Sequence, residues 1–146
     1  MPGRSTRYQG AIIWEGKILL IRHQEHNHGR DYWLLPGGGR LDDESEEQCV
    51  VREIKEETNL DVQVVRLLLD MRLDNPGVYQ RFKTYLCHPI SGNAHPGYEP
   101  EPEAARIYAI VEVKWIDQWD ENTWGDKITG DPITYPLLKR IQQALI

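Results

Sequence analysis

Residues 38–60 read GGRLDDESEEQCVVREIKEETNL, and within them Glu53, Glu56 and Glu57 stand at helical spacing directly after a glycine-rich turn, Pro36-Gly37-Gly38-Gly39. Steps of three and four residues put three carboxylates on one side of a helix. Each like-charge pair there costs about 0.2–0.5 kcal/mol, a cost that a bound cation would offset. The helix start is marked by Ser45 with Gln48 three residues on, a capping box, and by Glu46 and Glu47, which suit the positive end of the helix dipole. The spacing predicts a helix from Glu46 to Thr58. At about 100° per residue, Val50, Val51, Ile54 and Thr58 form a face that packs, and the acids form the neighbouring face. Asn59 follows, and after Gly it is the residue that best tolerates the left-handed backbone of a helix end.

Working outward, Tyr8–Trp14 and Lys17–His23 are aliphatic runs split by Glu15-Gly16 and read as a hairpin. The polar stretch Gln24–Asp31 reads as a mobile loop, and Trp33-Leu34-Leu35 as a short strand stopped by Pro36 and the glycines. Val62–Met71 and Val78–His88 are predicted strands around the turn Asp74-Asn75-Pro76-Gly77. Residues 89–104, rich in Pro, Gly and Glu, read as a long loop. A strand from Arg106 to Ile116, an irregular stretch Trp119–Asp131 and an amphipathic helix Leu137–Leu145 behind Pro136 complete the order. The class is α+β or mixed α/β, and a chain of 146 residues with 40% hydrophobic content is the size of a single domain, 1–146.

The net charge of -6 disfavours a protein that grips a nucleic-acid polymer. Eight of the 23 acids fall between Asp42 and Glu57, so much of that charge sits where a metal would bind. No apolar run suggests a membrane span and Met1–Gly10 has no signal-peptide pattern, which makes a cytoplasmic protein the expectation. Cys49 and Cys87 read as reduced core thiols.

The segment resembles the box of the Nudix (MutT-like) hydrolase family: Gly38, Glu44, Arg52, Glu53, Ile54, Glu56, Glu57 and Leu60 fall on its fixed positions, and Asn59 stands where the family has Gly. Trp33-x-Leu35-Pro36-Gly37-Gly38 also matches the common approach to the box. The resemblance implies an α/β/α sandwich with a curved mixed sheet and the box as loop-helix-loop. It implies hydrolysis of the phosphoanhydride in a nucleoside diphosphate linked to a group X, with a small nucleotide derivative as the partner molecule. A homodimer is common among similar proteins, and a non-catalytic Nudix-like metabolite sensor is the alternative. The resemblance further suggests that Arg52 pairs with Glu44 and steadies the loop.

The carboxylates suit Mg²⁺ or Mn²⁺, hard cations that prefer oxygen ligands. Glu53, Glu56 and Glu57 are the candidate ligands and, with Arg52, the candidate catalytic set; Glu53 and Glu57 lead because an i, i+4 pair can converge on one ion. Gly38 and Gly39 either let backbone approach the helix closely or only make a tight turn. The general base stays open: Glu53 or Glu56, or a distal acid among Glu99, Glu101, Glu103 and Glu112, for which a solvated acidic loop is the ordinary explanation. Arg22, Arg72 and Arg81 are candidate phosphate contacts, and Tyr79, Tyr98 and Trp124 candidate stacking surfaces. The run His23–His28 offers a zinc reading without a matching ligand spacing. Pro76 and Tyr79 lie where similar enzymes carry markers for ADP-ribose (Pro) or dinucleoside polyphosphates (Tyr), although Pro76 also suits its turn. No P-loop or EF-hand spacing occurs. The bond to be broken is thus expected from the box, and the choice of molecule from the loops around 24–32, 72–81 and 89–104.

Overall fold

The computed structural model describes residues 5–73, 79–99 and 101–146. The elements run β1 (Thr6–Trp14), β2 (Lys17–Glu25), β3 (Asp31–Leu34), β4 (Gly37–Gly38), α1 (Glu46–Thr58), β5 (Asp61–Arg72), β6 (Arg81–Ser91), α2 (Pro102–Ile107), β7 (Tyr108–Asp117), a 3-10 turn (Glu121–Thr123), α3 (Asp126–Thr129) and α4 (Thr134–Ala144). The seven-stranded sheet has the order β3-β2-β1-β6-β5, with β4 on β1 and β7 on β2. It is mixed: β1 runs parallel to β6, from Thr6 opposite Arg81 to Ile12 opposite Cys87, and the other pairings are antiparallel.

Side chains alternate across a strand, and here both sides are covered. Ala11, Ile18 and Leu20 join Leu35, Ile128, Leu137, Leu138 and Ile141 on one face. Their neighbours Ile12 and Leu19 join Val50, Ile54, Val62 and Cys87 on the other. The continuous apolar runs of the first hairpin therefore signal a sheet sandwiched between α1 and the α3–α4 pair, the expected α/β/α arrangement. Both cysteines are free and buried. No helix among the described residues is long and apolar enough to cross a membrane.

Helix α1 spans Glu46–Thr58 as predicted, with both bonds of the capping box formed: Gln48 N–H donates to Ser45 Oγ at 3.1 Å and Ser45 N–H to Gln48 Oε1 at 2.8 Å. Asn59 closes it at φ 66°. Other expectations need correction. The loop Gln24–Asp31 shrinks, because Gln24 pairs with both Asp31 and Ala109 and Glu25 with Tyr108; backbone pairing on two sides overrides polar side chains. The long loop 89–104 loses its ends to β6 and to α2, which Pro102 opens. Arg106 and Ile107 are helical, so β7 starts at Tyr108. Within Trp119–Asp131 lie the 3-10 turn and α3. The last helix begins at Thr134, where Asp131 Oδ1 accepts the Ile133 and Thr134 amides at 2.8 and 2.9 Å, and Pro136 is tolerated in its first turn. The turn Asp74–Gly77 and Val78 lie outside the described residues.

Candidate active site

Two of the three acids on α1 are buried: Glu53 is 3% and Glu57 1% exposed, packed beside the apolar face, and Glu56 is half-buried. Glycine makes this packing feasible. Gly37 N–H donates to Glu57 Oε1 at 2.7 Å, and a Cβ on Gly37 would stand 2.3 Å from the Tyr8 carbonyl oxygen. A Cβ on Gly38 would stand 2.6 Å from the Glu53 carboxyl, so this glycine serves close approach rather than only a turn. The Gly39 carbonyl accepts from Arg52 Nη2 at 3.2 Å.

Arg52 is the hub of the charges around it. Its Nη2 donates to Glu44 Oε1 at 2.7 Å and its Nε to Glu44 Oε2 at 3.0 Å, while Nη1 reaches Glu53 at 3.0 Å and Glu56 at 3.1 Å. The bonds to Glu44 raise the guanidinium pKa above its ordinary value, and the same bonds hold Glu44 below the usual carboxylate range. Burial pushes both Glu53 and Glu57 up, against the pull of Arg52 and Arg7 on Glu53 and of Arg7 on Glu57.

Arg7 escaped the sequence reading. It is 7% exposed, donates through Nε to Gln9 Oε1 at 3.2 Å and through Nη2 to the Leu35 carbonyl at 2.8 Å, and Gln9 is held in turn by Thr84 Oγ1 at 3.0 Å. Two polar residues at i, i+2 on a central strand leading into an apolar run were the available signal.

A loop completes the site from the C-terminal end of α1. The amides of His95, Gly97 and Tyr98 donate to the last helical carbonyls, those of Thr58, Glu57 and Glu56, at 3.1, 2.8 and 3.0 Å. Asn59 Nδ2 adds a bond to the His95 carbonyl at 3.0 Å, and a Cβ on Gly97 would meet the Glu56 carbonyl oxygen at 1.8 Å. This docking carries Glu99 to the box acids, both of which feel its charge. Glu99 accepts from Tyr108 Oη at 3.1 Å and from the Glu101 amide at 3.2 Å.

Above these groups opens a cavity of about 590 Å³, lined by Arg7, Gly37–Gly39, Glu53 and Tyr79 and by the distal acids Glu99, Glu101 and Glu103. Its aromatic wall includes His23, 2% exposed, stacked on Tyr108 at 4.0 Å and edge-on to Tyr32 at 5.6 Å. A bulge in the β2–β7 pairing between Arg22 and His23 re-aims this strand. Burial, reinforced by Arg7, pushes the His23 pKa down to about 3.

Other candidates lie elsewhere. Glu112 faces Arg22 at 3.3 Å, and Arg22 also pairs with Asp31 at 2.6 Å; neither Arg22 nor Glu112 lines the cavity. Arg81 is tied to Asp70 by two 2.6 Å bonds on the β5–β6 ladder, opposite Arg72. Tyr98 is exposed, and Trp124 is a core residue donating to the Asp117 carbonyl at 2.6 Å. His26 Nε2 lies 2.9 Å from the Ala105 carbonyl, and no His or Cys cluster of metal-binding form occurs among the described residues. Pro76 lies outside them.

A hard divalent cation suits the donor chemistry of Glu53, Glu56 and Glu57. Glu57 Oε2 is buried without a hydrogen-bond partner among the described residues, an acceptor left open for a ligand. The side chains do not already converge on a ligand arrangement. The positive charge between Glu53 and Glu56 is supplied by Arg52 Nη1.

The family model of the NUDIX domain matches residues 5–131. Over 103 residues the chain is 35% identical to a Bacillus subtilis protein named putative ADP-ribose pyrophosphatase YjhB, covering 67% of this chain and 48% of that one, so the chain spans about half the length of this relative. A MutT-like protein of Streptomyces ambofaciens is 27% identical over 128 residues, 82% of this chain and 79% of its own. Among solved structures, an ADP-ribose pyrophosphatase from Streptococcus suis superposes with a TM-score of 0.66 at 27% identity, covering 96% of this chain and 90% of the other.

Proposed function

The chain belongs to the NUDIX family, and from that premise we propose that it is a pyrophosphohydrolase, dependent on Mg²⁺ or Mn²⁺, that cleaves a nucleoside diphosphate linked to a second group X. One observation carries the reading: Glu53, on the helix whose Glu57 Oε2 has no hydrogen-bond partner among the described residues, and Glu99, from a loop bonded to the same helix, line a single cavity.

Glu53, Glu56 and Glu57 would hold the cation, which when bound supplies neutralisation of phosphate charge and Lewis-acid activation. Arg7, fixed by Gln9 and the Leu35 carbonyl, presents a second positive charge to the phosphates at no ordering cost. Arg52 holds the loop from Glu44 to the helix and keeps Glu53 and Glu56 aimed. The water oxygen bonds to one phosphorus as the bridging P–O bond breaks and its electron pair leaves with the departing phosphate. Glu99, oriented by Tyr108 Oη, accepts the proton the water gives up. The products are a nucleoside monophosphate and phosphorylated X. A sensor would not need this acid set, all of which is present. The Bacillus subtilis relative named putative ADP-ribose pyrophosphatase supports a nucleoside diphosphate linked to a sugar or similar group as the first substrates to try.

The test is a panel of nucleotide sugars, dinucleotides and nucleoside triphosphates with Mg²⁺ and Mn²⁺. Turnover of at least one phosphoanhydride is expected, with Glu57→Gln lowering it roughly 10²–10³-fold and weakening metal affinity. No cleavage across the panel, together with unchanged metal affinity in Glu57→Gln, overturns the enzyme reading.

A further inference from the structure

The proposed chemistry gives His23 nothing to do, although it lines the cavity and is 2% exposed. Neither Nδ1 nor Nε2 has a hydrogen-bond partner among the described residues. Other buried polar groups of the same wall are committed: Arg7 to Gln9 and the Leu35 carbonyl, Gln9 to Thr84, and Thr134 to the Trp33 carbonyl at 2.7 Å. A buried donor and acceptor left unpaired cost stability, and an apolar ring of similar shape would not carry that cost. A local rule broken in this way at a cavity wall points to a ligand that pairs with the ring.

The state of the ring narrows the ligand. Burial, reinforced by Arg7, keeps the imidazole neutral, so it offers one N–H donor and one acceptor nitrogen and no countercharge for a phosphate. One of its faces stacks on Tyr108 at 4.0 Å, with 17° between the ring planes, so the ring reads by its edge. A hydroxyl suits that edge, because it both donates and accepts and therefore meets either nitrogen in either tautomer. Arg7 is close enough for its charge to act on the ring, and Arg7 is the group assigned to the phosphates. The hydroxyl then belongs to a sugar joined directly to the diphosphate rather than to a remote part of the substrate.

We infer that His23 is a specificity residue that hydrogen-bonds a hydroxyl of the sugar adjoining the diphosphate, so that the site favours a sugar-bearing substrate over one with a hydroxyl-free group in that place. Both ring nitrogens are shielded from solvent, so a neighbour turns aside as the sugar enters. Tyr32, half-buried on the edge strand β3, 5.6 Å from the imidazole and itself facing the cavity of about 590 Å³, has the space to do so. The inference rests on the pyrophosphohydrolase reading for where the diphosphate lies and adds what the site demands of the group beside it.

The nucleoside ribose and a sugar in X share this chemistry, and the test separates them. Wild-type and His23→Phe chains are titrated calorimetrically, with Mg²⁺, against α,β-methylene ADP-ribose, whose P–C–P link is not an anhydride, so that binding is read without turnover. Two analogues of it follow, one lacking the 2′ and 3′ hydroxyls of the adenosine and one with a methyl group in place of the ribose of X. The wild type should lose affinity about tenfold for one analogue, which names the source of the hydroxyl. His23→Phe should bind the parent about tenfold more weakly and no longer distinguish it from that analogue. Without ligand, His23→Phe or the smaller His23→Leu should melt about 2 °C or more above the wild type at pH 7, which a histidine satisfied within the protein would not allow. Equal affinities in wild type and His23→Phe, a loss in the variant that is the same for all three ligands, or lower melting of both variants overturns the inference, while turnover in the substrate panel keeps the hydrolase reading. Absence of binding of all three ligands to the wild type ends it as well.

Discussion

Two acidic stretches meet at the cavity, residues 44–57 and residues 99–103, and they are held in opposite ways. In the first, Glu44, Glu53 and Glu56 bond to Arg52 and Glu57 bonds to the Gly37 amide. In the second, Glu99 is set by Tyr108 and the next amide but one, and Glu103 is exposed. Bond cleavage needs carboxylates placed to a fraction of an ångström, so the box side is buried and cross-braced. The distal stretch forms the looser rim of the cavity, and within it Glu99 is fixed by Tyr108 Oη and the Glu101 amide.

The contrast is broken most severely at Arg52. Arg52→Met leaves Glu44, Glu53 and Glu56 without their shared cation, and we expect a loss of about 3–5 kcal/mol in urea unfolding, far above that of any single neutralisation on the rim. Next comes Gly37→Ala, whose Cβ would collide with the Tyr8 carbonyl; about 2 kcal/mol of stability should go, and turnover should fall further than that loss explains because the amide that orients Glu57 moves with it.

The cavity wall is probed by acid. The folded pKa of His23, about 3, lies below the unfolded value, so the folded protein binds fewer protons than the unfolded chain between roughly pH 6.5 and 3. Its stabilising contribution is therefore complete above that window and lost as pH falls through it, with a slope approaching 1.4 kcal/mol per pH unit. His23→Phe should remove this share of the slope when denaturation midpoints are compared from pH 7 to 4; an unchanged slope would show that His23 is not held neutral by the wall.

The smallest effect is expected at Asn59→Gly. Relief of the left-handed backbone and loss of the bond to His95 oppose each other, which keeps the stability change within about 1 kcal/mol. Hydrogen exchange at the Gly97 and Tyr98 amides should nevertheless quicken, because the anchor of the Glu99 loop is gone. Slower exchange there would refute the anchoring role.

Asn59 also shows how much of the site was legible beforehand. The sequence marks it as a tolerable helix end, since a left-handed preference is a property of the residue itself. Its bond to His95 depends on a chain segment thirty-six residues away and could not be read. The same holds for the acids: their spacing announces a shared face, but not that Glu53 and Glu57 are buried, because burial depends on Gly37 and Gly38 lying against β1. Among the distal candidates, composition alone offers Glu99, Glu101, Glu103 and Glu112 on equal terms. The β2–β7 register sends Glu112 to Arg22, while the loop docked on α1 brings Glu99 to Glu53 and Glu57.

What residues 38–60 determined by themselves was a capped helix, its bounds, its terminator and a cluster of carboxylates, because capping, dipole and i+4 effects act within one or two turns of chain. The order of the strands, the bulge that turns His23 into the wall, the buried guanidinium of Arg7 and the meeting of Tyr32, Tyr108 and Glu99 were decided only in the folded molecule. These depend on contacts between distant segments, whose energies come from shared burial and pairing rather than from any local run of residues.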